Sequence, residues 1–264
     1  MPDNLITIAD MLADALDLAP FELTEIRDAA PLLSRLPAIP SSNGEVHKYA
    51  VKTENPTVGF RQENAGREFS HSVHRIDSIL LKIIDFSWAA DKAVADRWRQ
   101  GGASAFIARE GMFHIRAALF ALENQYINGT LFNEDGFSGL RDSAYLSTIA
   151  GGMVVDAGDA TEDGVSSAYL LRVSPSECAM VMHNSAIELG DTIVQNMQDA
   201  EGKHYPSYYT PACAWVACQL GAKYSVARIA NLGQTENGLT DDLIYEALTK
   251  FPAGTRPNLS LIHI

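Results

Sequence analysis

Apolar side chains recur at alternating four- and three-residue steps through Ala108, Met112, Ile115, Leu119, Leu122 and Tyr126, which puts them on one face of an α-helix. The spacing predicts one unbroken helix over residues 101–127, roughly 40 Å long at about 1.5 Å per residue. Phe106, Phe113 and Phe120, seven apart, form a second stripe elsewhere on it. Arg109, Arg116 and Glu123 fill one flank between the stripes, and Glu110, His114 and Gln125 the other. Gly129 supplies a residue that tolerates the left-handed backbone of a helix end.

Upstream, Ile6, Ile8, Leu12, Ala15 and Leu16 carry helical spacing, but Pro20, Pro31, Pro37 and Pro40 interrupt the segment after them. Leu32, Leu33 and Leu36, caught between prolines, are expected to be bare on one chain and covered by a neighbouring one. A β region comes next, with Val46, Tyr49 and Val51 before the turn Glu54-Asn55-Pro56, and Val58-Gly59-Phe60 after it. A return strand then alternates: Ile79, Leu81 and Ile83 on one face, Ser78, Leu80, Lys82 and Ile84 on the other. Six bases (Lys48, Lys52, Arg61, Arg67, Arg75, Lys82) interleave with five acids (Glu45, Glu54, Glu63, Glu68, Asp77). This near-neutral, polar-tipped hairpin cannot bury a core of its own, so it should project and dock on a partner chain.

Beyond residue 140 a loop rich in Gly and Asp (151–152, 156–164) precedes strand-like runs over 168–173, 178–182, 208–220 and 224–232. A helix over 241–248, opened by Thr240 as N-cap, completes a mixed layer and an α+β class.

Composition narrows the function. The chain has 264 residues, 47% of them hydrophobic, enough for one large or two modest domains. No apolar run reaches the roughly 18 residues of a membrane span, and the acidic start lacks a secretory pattern, so a soluble product of the cytoplasm is expected. Cys178, Cys213 and Cys218 contain no Cys-x-x-Cys pair and read as small buried hydrophobes. The formal net charge is −13. Residues 1–30 hold seven acids against Arg27, and residues 156–201 nine against Arg172. Such fields repel a phosphate backbone, so no sequence-reading or nonspecific nucleic-acid binder is expected.

Catalytic patterns are missing from the sequence. His71 and His74 beside Glu68 lack a matched third ligand in an extended segment. Asp156, Asp159, Glu162 and Asp163 fail the spacing of a calcium loop and read as solvated. No nucleophile elbow, phosphate-binding loop or dinucleotide fingerprint appears, so no catalytic, cofactor-binding or metal residue is assigned. Asn128-Gly129-Thr130 is a formal glycosylation sequon without meaning in a cytoplasmic context.

The helix runs directly into Tyr126-Ile127-Asn128-Gly129 and, after a polar turn, Phe137-Ser138-Gly139-Leu140. With the strand Val226-Ala227-Arg228-Ile229-Ala230-Asn231-Leu232 and the helix at 241–248, this order of elements resembles the major capsid proteins of tailed bacteriophages, of the Hong Kong ninety-seven type. The resemblance implies an N-terminal arm at 1–44, an extended β-loop at 45–85, a peripheral domain with a spine helix at 86–129, and an axial α/β domain at 130–258. It implies an icosahedral shell subunit that is no enzyme, needs no cofactor and partners with itself as hexamers and pentamers. Scaffold, protease and portal proteins would be further partners, with DNA packaged without specific binding, no membrane, synthesis in the host bacterial cytoplasm, and residence in the virion capsid. An encapsulin-like compartment shell, or a soluble α/β enzyme with an unrecognised site, are the alternatives.

Where such relatives continue through a further strand, this chain reads Leu259-Ser260-Leu261-Ile262-His263-Ile264. Those six residues match the translation of a transposon-end sequencing adapter, so a C-terminally truncated reading frame with an incomplete axial domain is expected. Source DNA encoding them followed by a stop codon would refute this.

Overall fold

The structure, a computed structural model, describes residues 6–8, 10–11, 28, 30–54, 56–149, 152–158, 165–183, 187–233, 237–251 and 259–263. The strands are β1 (Ala38–Pro40), β2 (Val46–Glu54), β3 (Val73–Leu80), β4 (Lys82–Asp85), β5 (Trp88–Asp91), β6 (Val154–Asp156), β7 (Ser166–Arg172), β8 (Cys178–Met182), β9 (Glu188–Leu189), β10 (Ile193–Gln198), β11 (His204–Thr210), β12 (Ala212–Leu220), β13 (Val226–Leu232) and β14 (Leu259–His263). The helices are α1 (Lys92–Asp96), α2 (Gly102–Asn128) and α3 (Asp241–Thr249).

They form a five-stranded sheet in the order β1-β8-β12-β4 with β9 also on β12, a four-stranded sheet β14-β7-β13-β6, a three-stranded sheet β10-β11-β5, and the hairpin β2-β3. Every residue of β8 is buried, which is why its sequence, Cys-Ala-Met-Val-Met, is apolar without alternation. The main core joins Ile115, Leu119, Leu122 and Tyr126 of α2 to both larger sheets. Thr240 caps α3 as its sequence predicts, its hydroxyl accepting from the Leu243 N–H. Residues 259–263 run antiparallel to β7 through backbone pairing. Among the described residues no helix is long and apolar enough to cross a membrane.

Several elements differ from the sequence reading. Leu32, Leu33 and Leu36 are not bare: all three are buried in their own chain, with Leu33 and Leu36 at 0% exposure. Two neighbours explain it. The next residues, β1, lie parallel to β8, and the Glu123 carboxylate of α2 accepts the Leu32 N–H at 2.5 Å, satisfying a backbone group that the prolines leave unpaired. The predicted return strand is broken at buried Leu81, so that β3 pairs with β2 while β4 crosses into the central sheet against β12. The predicted run over 208–220 likewise splits at Pro211, with β11 in one sheet and β12 in another. A short strand, β6, lies in the segment read as Gly- and Asp-rich loop. Of the N-terminal helical stripe, Ile8 is buried in the core, and Leu12, Ala15 and Leu16 lie outside the described residues.

Candidate assembly site

The end of α2 is held by a compact set of polar bonds that explains the two glycine-bearing motifs. Gln125 is buried, and its side-chain amide donates to the carbonyls of Asn133 at 3.2 Å and Phe137 at 2.6 Å. Asp142 accepts the Thr130 N–H at 2.9 Å, the Thr130 hydroxyl at 2.7 Å and the Gly139 N–H at 2.9 Å. Burial alone would push the Asp142 carboxyl up, but these donors outweigh it and hold the group below the usual carboxylate range. Gly139 passes so close to the helix end that a Cβ there would sit 2.5 Å from the Gln125 carbonyl oxygen and 2.6 Å from the Gly129 nitrogen. Gly129 itself turns at φ 57°, where a side chain would collide with the Asp142 carboxylate. Together these bonds fix the direction in which the chain leaves a 27-residue helix.

Tyr126, fully buried, lies beside the thiols of Cys178 and Cys218, and burial pushes its hydroxyl up. Burial likewise moves Cys218 to about 12, so neither a thiolate nor a phenolate is available there for chemistry. Cys213 departs from the expectation of burial: it is half-buried on β12, its thiol 3.6 Å from Glu188.

The base of the β2-β3 hairpin is tied to the central sheet by His47. Its Nε2 lies 2.7 Å from Gln219 Oε1, its Nδ1 accepts the Ser42 N–H at 3.1 Å, and the Gln219 amide continues to the Pro175 carbonyl at 3.0 Å. Accepting at Nδ1 assigns the Nε2 tautomer as donor. Beyond this anchor the hairpin carries Val58, Phe60 and Phe69 fully or largely exposed, so its tip is less polar than its charge pattern suggests. His71 and His74 are exposed, the His74 ring lies 3.0 Å from the Ser72 hydroxyl, and the described residues hold no cluster that could bind a metal ion. Asp156 bonds Gly158 and Asn231, while Asp159, Glu162 and Asp163 lie outside the described residues.

Further apolar surface lies bare along α2. Phe113 is 46% and Phe120 63% exposed, Ala108 is exposed too, and the predicted stripe is covered only from Gly111 onward. A groove of about 470 Å³ opens beside this stretch, between Ile107, Ala108 and Met112 on one side and Leu189 and Thr192 on the other. Leu80, Ile83, Leu131 and Phe132 are bare as well, and Ile83 and Phe132 line one cleft with Gln125. Large exposed apolar groups thus recur on the hairpin and on α2, and among the described residues no catalytic set is brought together.

Gln125, Asp142, His47 and Gln219 escape a sequence reading based on apolar periodicity. Gln125 reads as one polar flank residue among several, although its place next to Tyr126 in the helix-end motif marks it.

The bacteriophage epsilon15 structure superposes on this chain with a TM-score of 0.55 at 14% identity, covering 88% of this chain and 72% of that one. The capsid of bacteriophage JBD30 gives 0.49 at 13% identity over 96% and 86%, and the holo-SrpI encapsulin complex from Synechococcus elongatus gives 0.49 at 12% over 80% and 90%. No curated protein sequence matches significantly. The first of these likenesses shows that the chain shares its fold, a long helix with a β-hairpin and mixed sheets, with that bacteriophage structure. The sequence also fits the family model for major capsid protein GP7 over residues 23–254. The chain therefore belongs to the major capsid protein GP7 family.

Proposed function

We propose that many copies of this chain close into the icosahedral shell of a phage particle around its DNA. The observation that carries the reading is that one buried core joins α2 to both larger sheets, while Phe60 and Phe69 on the loop and Phe113 and Phe120 on α2 stay bare. Burial of about 25 cal/mol per Å² of such surface, repeated across each contact, drives closure without any active site. The work is geometric: rigid elements fix the angle between neighbours, and symmetry repeats it.

In this reading hexamers and pentamers are the building blocks, made in the host bacterial cytoplasm before the virion is filled. Scaffold, protease and portal proteins act on them during assembly. The functional division has an arm up to residue 44, a projecting loop at 45–85, a spine region at 86–129 and an axial domain from 130. The net charge of −13 suits a wall along which packaged DNA slides rather than adheres. Retention of DNA by purified empty shells at physiological salt would contradict that last point. Electron microscopy of the purified full chain tests the whole. Closed polyhedral particles are expected, and a small monodisperse oligomer at high concentration would overturn the reading.

A further inference from the structure

One ledge of the molecule departs from its acidic surroundings. Residues 91–110 carry Lys92, Arg97, Arg99 and Arg109 against Asp91, Asp96 and Glu110, a small excess of base in a chain of formal charge −13. The ledge is ordered by its aromatic groups. The Arg109 guanidinium stands 5.2 Å from the Trp98 ring and 5.4 Å from the Phe113 ring, and Trp98 meets Phe106 edge-on at 5.2 Å. A guanidinium stacked by its faces keeps its N–H edges outward for carboxylates, at little further loss of side-chain freedom. Arg97 and Arg99 are exposed on either side of Trp98. A cationic surface ordered in this way, whose Arg97, Arg99 and Arg109 have no carboxylate partner among the described residues, is suited to receive an acidic segment.

The complementary element lies at the same end of the fold. β11 pairs with β5 only through Ser207–Thr210, so the β10-β11 hairpin overhangs the end of β5, where the chain enters α1. The Tyr208 hydroxyl ties this junction together, accepting from Lys92 at 3.0 Å and donating to Asp96 at 2.9 Å. The overhanging turn is rigid: Asp199 Oδ1 accepts the N–H groups of Glu201 at 3.0 Å and Lys203 at 2.7 Å, and Asp199 and Lys203 also pair through their backbones at 2.9 Å. Residues 199–206 are all exposed, Glu201 among them. A lobe whose tip holds Asp199 and Glu201 against Lys203, with a basic ledge nearby, is suited to contact around a symmetry axis, where each copy offers its tip to the next and the ring closes.

We propose that the β10-β11 turn of a second copy docks on the Trp98–Arg109 ledge, with Asp199 and Glu201 meeting Arg97, Arg99 and Arg109. This inference rests on the shell reading and names one of its contacts. Because the groups are charged and exposed, the contact fixes which neighbour sits where and weakens with salt.

Charge reversal tests it in the full chain. Arg99→Glu and Glu201→Arg are each expected to raise the protein concentration needed for assembly about tenfold at low salt. The double variant R99E/E201R, which restores opposite charges across the contact, should recover to within about twofold of the parent. Because both positions are exposed, each variant should keep the parent's circular dichroism and melting temperature. A second arm joins Cys residues placed at Arg99 and Glu201, and intersubunit disulfide ladders are expected from assembled but not dissociated protein. If parent particles form and both single reversals assemble like the parent, or the double variant is as impaired as the sum of its parts, the contact is refuted while the shell reading stands. Absence of particles from the parent would refute the shell reading itself. Loss of retained nucleic acid in R99E with unchanged assembly would show the ledge to be a phosphate site instead.

Discussion

The two halves of α2 share one periodic pattern and meet different fates. From Ile115 to Ile127 the apolar face is sealed: Ile115, Leu119, Leu122 and Tyr126 are buried, and the clasp around Gln125 and Asp142 locks the exit. From Gly102 to His114 the same helix rests mainly on ring contacts, Trp88 stacked on His114 and Trp98 against Phe106, and leaves Ala108 and Phe113 open. One half packs its stripe into the core, with Phe120 on the opposite side still bare, and much of the other half stays uncovered in the single chain. Because the helix is continuous, the rigidity of the sealed half aims the surfaces of the open one.

The largest expected break in this contrast comes from the sealed half. Tyr126→Ala should cost about 3–5 kcal/mol of subunit stability in chemical denaturation, the range for emptying a buried aromatic site. Phe113→Ser, at a position 46% exposed, should cost no more than about 1 kcal/mol of that stability yet lower particle yield in electron microscopy. Equal losses of stability in the two variants would erase the distinction drawn between the halves.

A smaller effect is expected at the clasp. Gly139→Ala forces a methyl against the Gln125 carbonyl and should destabilise by about 1–3 kcal/mol, seen as a lower melting temperature of unassembled subunit. If it melts with the parent, the close approach does not constrain the helix end.

The smallest effects are in pH dependence, and their signs oppose. The Asp142 carboxyl is held below its ordinary 3.8, so its contribution is present above that value and is lost as pH falls through the lower folded one. Asp142→Asn should therefore reduce stability at neutral pH and remove part of the acid-induced loss. Glu123 is pushed up from 4.5 by burial, which outweighs the Leu32 and Leu33 N–H donors, so its ionisation costs stability as pH rises through the raised value. Glu123→Gln should flatten that slope while keeping an acceptor for Leu32. Melting temperature measured from pH 3 to pH 7 checks both variants, and parallel curves for parent and variants would refute both assignments.

Local pattern made much of the architecture legible. The spine helix, the hairpin, β7, β8, β13, and α3 with its Thr240 cap all arise from period, propensity and capping, which act within a few residues. The helix-end motifs were visible as motifs, but their reason was not, since the tight approach of Gly139 to Gln125 joins residues fourteen apart around a turn. The expectation for Leu32, Leu33 and Leu36 failed for a related reason. A leucine cluster between prolines needs a cover, and sequence cannot say whether that cover is a second copy or, as here, the chain's own α2 and β8.

The sequence by itself determined the long helix α2, α3 and the larger strands such as β7, β8 and β13, the acidic charge, and an order of elements that is that of a shell subunit, because periodicity, charge and motif are properties of neighbouring residues; it was silent on β5, α1, β9 and β10. Only the tertiary structure decided which apolar faces are spent on folding and which stay bare. It also decided that Leu81 and Pro211 divide apparent single strands between sheets, and that Arg109 is stacked between two rings. Those outcomes depend on what long-range packing brings opposite each face, and burial is a property of the pair of surfaces that meet.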